Sequence, residues 1–168
     1  LEPRLTLTAE ELREAFREAG KRAHPDSGGS SEDFTLIQDA YTRLGSPTRR
    51  LRAWLERNGI PGDERGTISP ELLDLFGKVG EVLQEADAVI KRRDAALSTL
   101  AKAILEPQVQ ALRDRLAEMQ AIVSDEIHAQ EGKFSAIEAG TADGWLTARD
   151  LAFLEKWQAG LRARFASL

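Results

Sequence analysis

Ala23-His24-Pro25-Asp26-Ser27-Gly28-Gly29-Ser30 stands between two stretches of helical periodicity, and its reading decides the fold. Pro25 disfavours helical geometry at His24 and has no N–H to donate, so a helix running up to it stops near Ala23. Gly28 and Gly29, flanked by serines, let the chain reverse. Ser30 or Ser31 can cap the next helix, with Glu32 and Asp33 in its first turn, where the helix dipole favours acids. The stretch is a loop, and the helices on either side of it pair as a hairpin.

Working outward, residues 1–7 read as an extended lead-in. Thr8 with Glu11 makes a capping box and Leu7 can staple onto Leu12, which fixes the start of the first helix. Leu12, Ala15, Phe16, Ala19 and Ala23 recur as an inward stripe, while Arg13, Arg17 and Lys21 stand at four-residue steps on another face. Glu10, Glu14 and Glu18 stand three or four residues from these bases. Each base therefore has two readings, paired along its own helix or steering an acidic partner. Beyond the loop, Phe34, Ile37, Ala40, Tyr41 and Leu44 form the second helix's inward stripe, and Gly45 ends it. Ser46-Pro47 opens a short helix that carries Leu51, Trp54 and Leu55 and closes at Asn58-Gly59.

Residues 58–69 are rich in Gly, Pro and charge and read as a linker. After Ser69-Pro70, Leu72, Phe76, Val79, Leu83, Ala86 and Ile90 alternate in steps of four and three, the seam of a bundle helix interrupted by Gly77 and Gly80. Two ends fit this helix, Arg92-Arg93-Asp94 and Glu106-Pro107. Val109, Leu112, Leu116, Met119, Val123 and Ile127 define another long helix to about Glu131, with a polar connection over 132–146 after it. Thr147 with Asp150, and Leu146 with Leu151, repeat the box-and-staple signature ahead of Leu151, Leu154, Trp157, Leu161 and Phe165. Three long helices with facing seams make an antiparallel bundle.

Composition removes several function classes. A formal net charge of −5 and a pI near 5.2 over 168 residues argue against binding nucleic acid by phosphate neutralisation. The chain has no cysteine, which excludes disulfides, thiolate catalysis and protein-ligated iron–sulfur clusters as its own properties. No apolar run approaches the ~20 residues of a membrane span, and Leu1-Glu2-Pro3-Arg4 is not a signal peptide. A cytoplasmic protein without membrane contact is expected. Asp125 and His128 share a helix face as in di-iron bundles, but no matching set stands on other helices, so no metal or cofactor is expected. Ser27-Gly28-Gly29-Ser30 lacks the lysine of a phosphate loop, and no nucleophile has a base and an orienting partner; the chain does not read as an enzyme.

A basic helix, His24-Pro25-Asp26, and a helix with Gln38-Asp39-Ala40-Tyr41 and Leu44-Gly45 together resemble the J-domain of DnaJ-type co-chaperones. There a helical hairpin presents this tripeptide to a DnaK-type ATPase. The resemblance implies that His24, Pro25 and Asp26 contact the chaperone and stimulate its ATP hydrolysis, with Arg13, Arg17 and Lys21 facing an acidic patch on it. A complete J-domain has a short helix before the lead-in, and Leu1-Glu2-Pro3-Arg4-Leu5 looks like the connection after it; that first helix is missing here. Ala40-Tyr41, Leu44, Pro47, Arg50, Leu55, Gly59 and the three-helix C-terminal region resemble the HscB-type J-proteins of iron–sulfur cluster assembly. Residues 149–156 look like that family's last bundle helix, where Phe153 would help bind an IscU-type scaffold, and Leu72, Leu73, Glu81 and Glu85 fall roughly at its scaffold-facing positions. Asp74 and Gly80 depart from the Met- and Arg-like residues of the pattern, and the first two bundle helices are longer than usual. As members of apolar stripes, Leu72, Leu73 and Phe153 also read as core.

The expected architecture is all-α: a J-domain hairpin over 1–58, a linker over 59–68 and a three-helix bundle over 69–168. The expected function is that of a co-chaperone for a DnaK/HscA-type ATPase with a client, such as an IscU-type scaffold, on the bundle. The alternative is an assembly protein whose bundle seams drive oligomerisation and whose hairpin is vestigial.

Overall fold

The computed structural model describes residues 4–23 and 30–168. Among these residues it is all-α, with α1 (Ala9–Ala23), α2 (Ser31–Gly45), α3 (Pro47–Arg57), α4 (Leu73–Ala95), α5 (Thr99–Glu131), α6 (Phe134–Glu138) and α7 (Gly144–Ser167); a 3₁₀ turn, Pro70–Leu72, leads into α4. Residues up to Gly66 together with Glu131–Arg149 form one compact unit, and Thr67–Gln130 with Asp150–Leu168 form the other.

In the first unit the expected helix starts are made by their own side chains. Thr8 N–H donates to Glu11 at 2.9 Å and Glu11 N–H donates to the Thr8 hydroxyl at 3.1 Å, a reciprocal cap that begins α1. Ser30 and Asp33 make the same box for α2. Ser46 caps α3 with Pro47 in its first turn. The chain leaves α3 through Gly59, whose φ of 63° is the left-handed geometry glycine adopts without strain. Gly20 lies against Phe34, and the Phe16 and Tyr41 ring centroids are 4.4 Å apart with the planes tilted by 38°. Contacts therefore climb α1 as they descend α2, and the two helices run antiparallel. The core of this unit lies elsewhere, in Leu5, Leu51, Leu55, Phe134, Ile137 and Trp145.

Two segments differ from the sequence expectation here. Residues 132–146, expected as a polar connection, contain α6 and bury Phe134 and Ile137. Residues 59–66, expected as part of a linker, are fastened to the same unit. Trp145 Nε1 donates to the Ile60 carbonyl at 3.0 Å, and Arg149 donates to the Asp63 carbonyl at 2.7 Å. Gly62 sits so close to the Trp145 ring that a Cβ there would fall 1.9 Å from Cδ1. The start of α7 moves for a related reason. Asp143 accepts from Leu146 N–H at 2.9 Å and so caps the helix a turn before the expected Thr147–Asp150 box.

The second unit is the expected antiparallel three-helix bundle. Phe76 meets Trp157, Asp87 pairs with Arg164, and Arg93 bonds the Leu168 carbonyl, so α4 and α7 run in the same direction. Between them α5 runs the opposite way. Its seam of Val109, Leu112, Leu116, Met119 and Val123 is buried as expected, as are Leu154, Trp157 and Leu161 of α7, whereas Phe165 is exposed. Asp150, fully buried, accepts from both the N–H and the hydroxyl of Ser69, which ties the entry of α4 to α7. The expected α4 seam is rotated: Leu72, Val79, Val82, Ala86 and Val89 are buried, while Phe76 faces out and Leu83 and Ile90 are only partly covered. Apolar pairs at 75/76, 82/83 and 89/90 give two interleaved seams, and packing selects one. Of the two candidate ends, α4 stops at Ala95. Ser98 then caps α5 by accepting from Ala101 N–H at 3.1 Å, so Pro107 lies inside a helix.

Gly77 and Gly80 lie inside α4 at negative φ, and a Cβ on either meets no atom within 4 Å. Gly77→Ala and Gly80→Ala should each stabilise the protein by about 0.5–1 kcal/mol through backbone entropy alone, read as a higher urea midpoint at unchanged m-value.

Candidate functional site

His24, Pro25 and Asp26 lie outside the described residues. What the structure gives is their setting: α1 ends at Ala23 and the Ser30 cap begins α2. The facing sides of these helices are short of full burial. Leu12, Phe16, Ala19, Ile37, Tyr41 and Leu44 line a shallow apolar groove, and α2 has no fully buried residue. The expected inward stripe of α2 is thus only half covered, and Phe34 is 39% exposed.

The three bases of α1 are all exposed. Arg17 pairs with Glu14 at 2.7 Å and Lys21 with Glu18 at 2.9 Å, while Arg13 Nε reaches back to the Ala9 carbonyl at 3.2 Å. The hydrogen bond and charge of Lys21 hold the Glu18 carboxyl below the usual carboxylate range. Glu11 is held low as well, first by the Thr8 N–H it accepts and then by the Thr8 hydroxyl. For Arg17 and Lys21 the paired reading is therefore the observed one. Exposed pairs of this kind are weak, so an acidic partner surface can compete for either base.

On the bundle the five expected client residues separate. Leu72 is 3% exposed and belongs to the core; Leu73, the next residue, is 55% exposed. At ~100° per residue Glu81 stands roughly 80° and Glu85 roughly 120° around α4 from Leu73, so the three do not share one face. Glu81 is exposed and Glu85 pairs with Arg115 of α5. Across on α7, Phe153 is 36% exposed and its ring centroid lies 6.1 Å from that of Trp157, which in turn lies 5.7 Å from Phe76. Phe76, 53% exposed, joins Leu73 and Phe153 in an apolar surface that the sequence reading missed because it assigned Phe76 to the seam. The signal was present in the redundancy of the α4 pattern.

Among the described residues no three His, Asp or Glu side chains gather as a metal ion would need, and no helix is long and apolar enough to cross a membrane.

The division between Leu72 and Leu73 is directly measurable. Leu72→Ala should lower unfolding free energy by about 2–4 kcal/mol by opening a cavity, whereas Leu73→Ala should stay within about 0.5 kcal/mol, both by urea denaturation.

No family model and no solved structure matches the chain. Among curated proteins it is 31% identical over 99 residues to the Co-chaperone protein HscB homolog of Neisseria meningitidis serogroup B, covering 52% of this chain and 60% of that protein. The HscB homolog of Neisseria gonorrhoeae is 30% identical over the same length. Chaperone protein DnaJ 1 of Cutibacterium acnes is 36% identical over 61 residues, 35% of this chain and 15% of the relative. The likenesses to DnaJ proteins fall on the hairpin region. The match thus spans about 60% of the length of the HscB homologues. The chain is similar to J-domain co-chaperones, and HscB-like over half its length.

Proposed function

We propose, with the likeness to HscB-type co-chaperones as premise, that this is a cytoplasmic J-type co-chaperone whose effect is exerted on another protein's ATPase. His24-Pro25-Asp26 engages a DnaK/HscA-type chaperone and stimulates its ATP hydrolysis, with Arg13, Arg17 and Lys21 facing an acidic patch on it. The observation that carries this reading is the tripeptide set between two box-capped antiparallel helices in a chain similar to both HscB and DnaJ proteins. The exposure of the α1 bases supports their part, since a partner can reach them without unfolding anything.

In single-turnover hydrolysis by a DnaK/HscA-type chaperone, the full chain should raise the rate, and Asp26→Asn should abolish the rise while circular dichroism stays unchanged. An equal rate with and without the wild-type chain would sink the reading.

The bundle is proposed to carry the client, an IscU-type scaffold, on the surface of Leu73, Phe76 and Phe153; Glu81 and Glu85, the acidic residues expected with it, lie further round α4, Glu85 paired with Arg115 of α5. Support comes from these apolar side chains standing exposed next to one another on α4 and α7, where the fold gains little from them. Leu72, being core, is excluded as a contact. Titration of an IscU-type scaffold, monitored by calorimetry, should give saturable binding that Phe153→Ala and Leu73→Ala weaken at least tenfold. Binding unchanged by both substitutions would move the client elsewhere.

A further inference from the structure

Gly77 and Gly80 interrupt a helix whose own packing has no use for them. Both lie at negative φ, and a Cβ on either meets no atom within 4 Å. Glycines that the fold requires look different: a Cβ on Gly62 would fall 1.9 Å from the Trp145 ring, and one on Gly144 would fall 2.5 Å from Leu55. Glycine is, proline aside, the residue a helix interior favours least, and alanine fits at both α4 positions. At ~100° per residue Leu73, Gly77, Gly80 and Gln84 lie within about 60° of one another, along the side of α4 opposite its buried seam. Leu73 and Gln84 stand roughly 16 Å apart on this side, with the two glycines between them. Phe76 flanks the gap in ring contact with Trp157, which in turn meets Phe153, and exposed Asp74 and Glu81 stand on the other flank. The result is a pit floored by bare helix backbone beside an exposed aromatic wall.

We infer that Gly77 and Gly80 form the specificity pocket of the client surface: a bulky apolar side chain of the client enters between Leu73 and Gln84, lies against Phe76 and reaches the α4 backbone. This rests on the client reading above and adds to it the residues that select the client. The chemistry of the pit sets what enters. Its floor and its aromatic side carry no charge, its acids stand on one rim, and the backbone N–H groups of the floor are used within α4. A polar group driven to the bottom would therefore find no partner. An apolar side chain loses nothing on entering, and it buries its own surface together with that of Phe76 and Phe153. Any side chain at 77 or 80 would occupy the same space.

The pocket predicts opposite changes in stability and in binding, which apolar area alone does not. In calorimetric titration of the full chain with an IscU-type scaffold, Gly77→Ala and Gly80→Ala should each weaken binding about fivefold while raising the urea midpoint, and Gly80→Leu should weaken it about a hundredfold, the range that overpacking a filled site gives. Each variant should keep the wild-type circular dichroism, since its new Cβ meets open space. On a patch that binds through apolar area alone, the added carbons strengthen binding or leave it unchanged. That result, with Phe153→Ala still weakening binding, would overturn the pocket and leave the client surface standing. No saturable binding by the wild-type chain would overturn both.

Discussion

A guanidinium taken out of water must find acceptors, and Arg50 is the side chain on which this constraint falls hardest. It is 8% exposed. It donates to the Leu44 carbonyl at 3.0 Å and to the Glu131 carboxylate at 2.8 Å, and stands 5.4 Å from the centroid of the Phe134 ring. One residue of α3 thereby gathers the end of α2, the end of α5 and the start of α6. Removing a partner from such a pair leaves a buried charge uncompensated, at a typical cost of about 3–5 kcal/mol. The first unit is closed by this ion pair and the apolar residues around it, and α1 and α2 are built onto that base.

That dependence gives the hairpin its character. Its two helices are well begun, each by a reciprocal cap, yet they bury little between them and their shared groove is shallow. Helix termini and local pairs specify where α1 and α2 start and stop. They contribute little to holding the helices together, which falls to Leu5, Leu12, Leu51 and Leu55 at the base. A surface organised in this way keeps its bases and apolar edges available to a partner.

The bundle solves a different problem. Its three helices are apolar over more than one stripe, so some large side chains stay outside whichever seam is buried. On α4 and α7 this leaves Leu73, Phe76 and Phe153 adjacent; on α5 it leaves Leu100 and Ile104 exposed. The buried Ser69–Asp150 contact fixes α4 against α7 at one end and so sets which α4 residues face inward.

By itself the sequence determined the all-α class, the ends of α1, α2 and α3, and the buried seams of α5 and most of α7. Each comes from local chemistry: a cap, a proline, a glycine, or a single unambiguous stripe. The tripeptide and its flanking helices were legible for the same reason. Tertiary structure alone decided the rest. Neither the rotation of α4, which turned Val82 and Val89 inward and left Phe76 outside, nor the role of Asp150 as partner to Ser69 could be read locally, since both are choices among locally equal options. Segment 131–149 joined the first unit because Glu131, Phe134 and Trp145 found Arg50 and Gly62, some 80 residues away in sequence. Contacts at that separation leave no periodic trace in the chain; only burial makes them worth more than the water they replace.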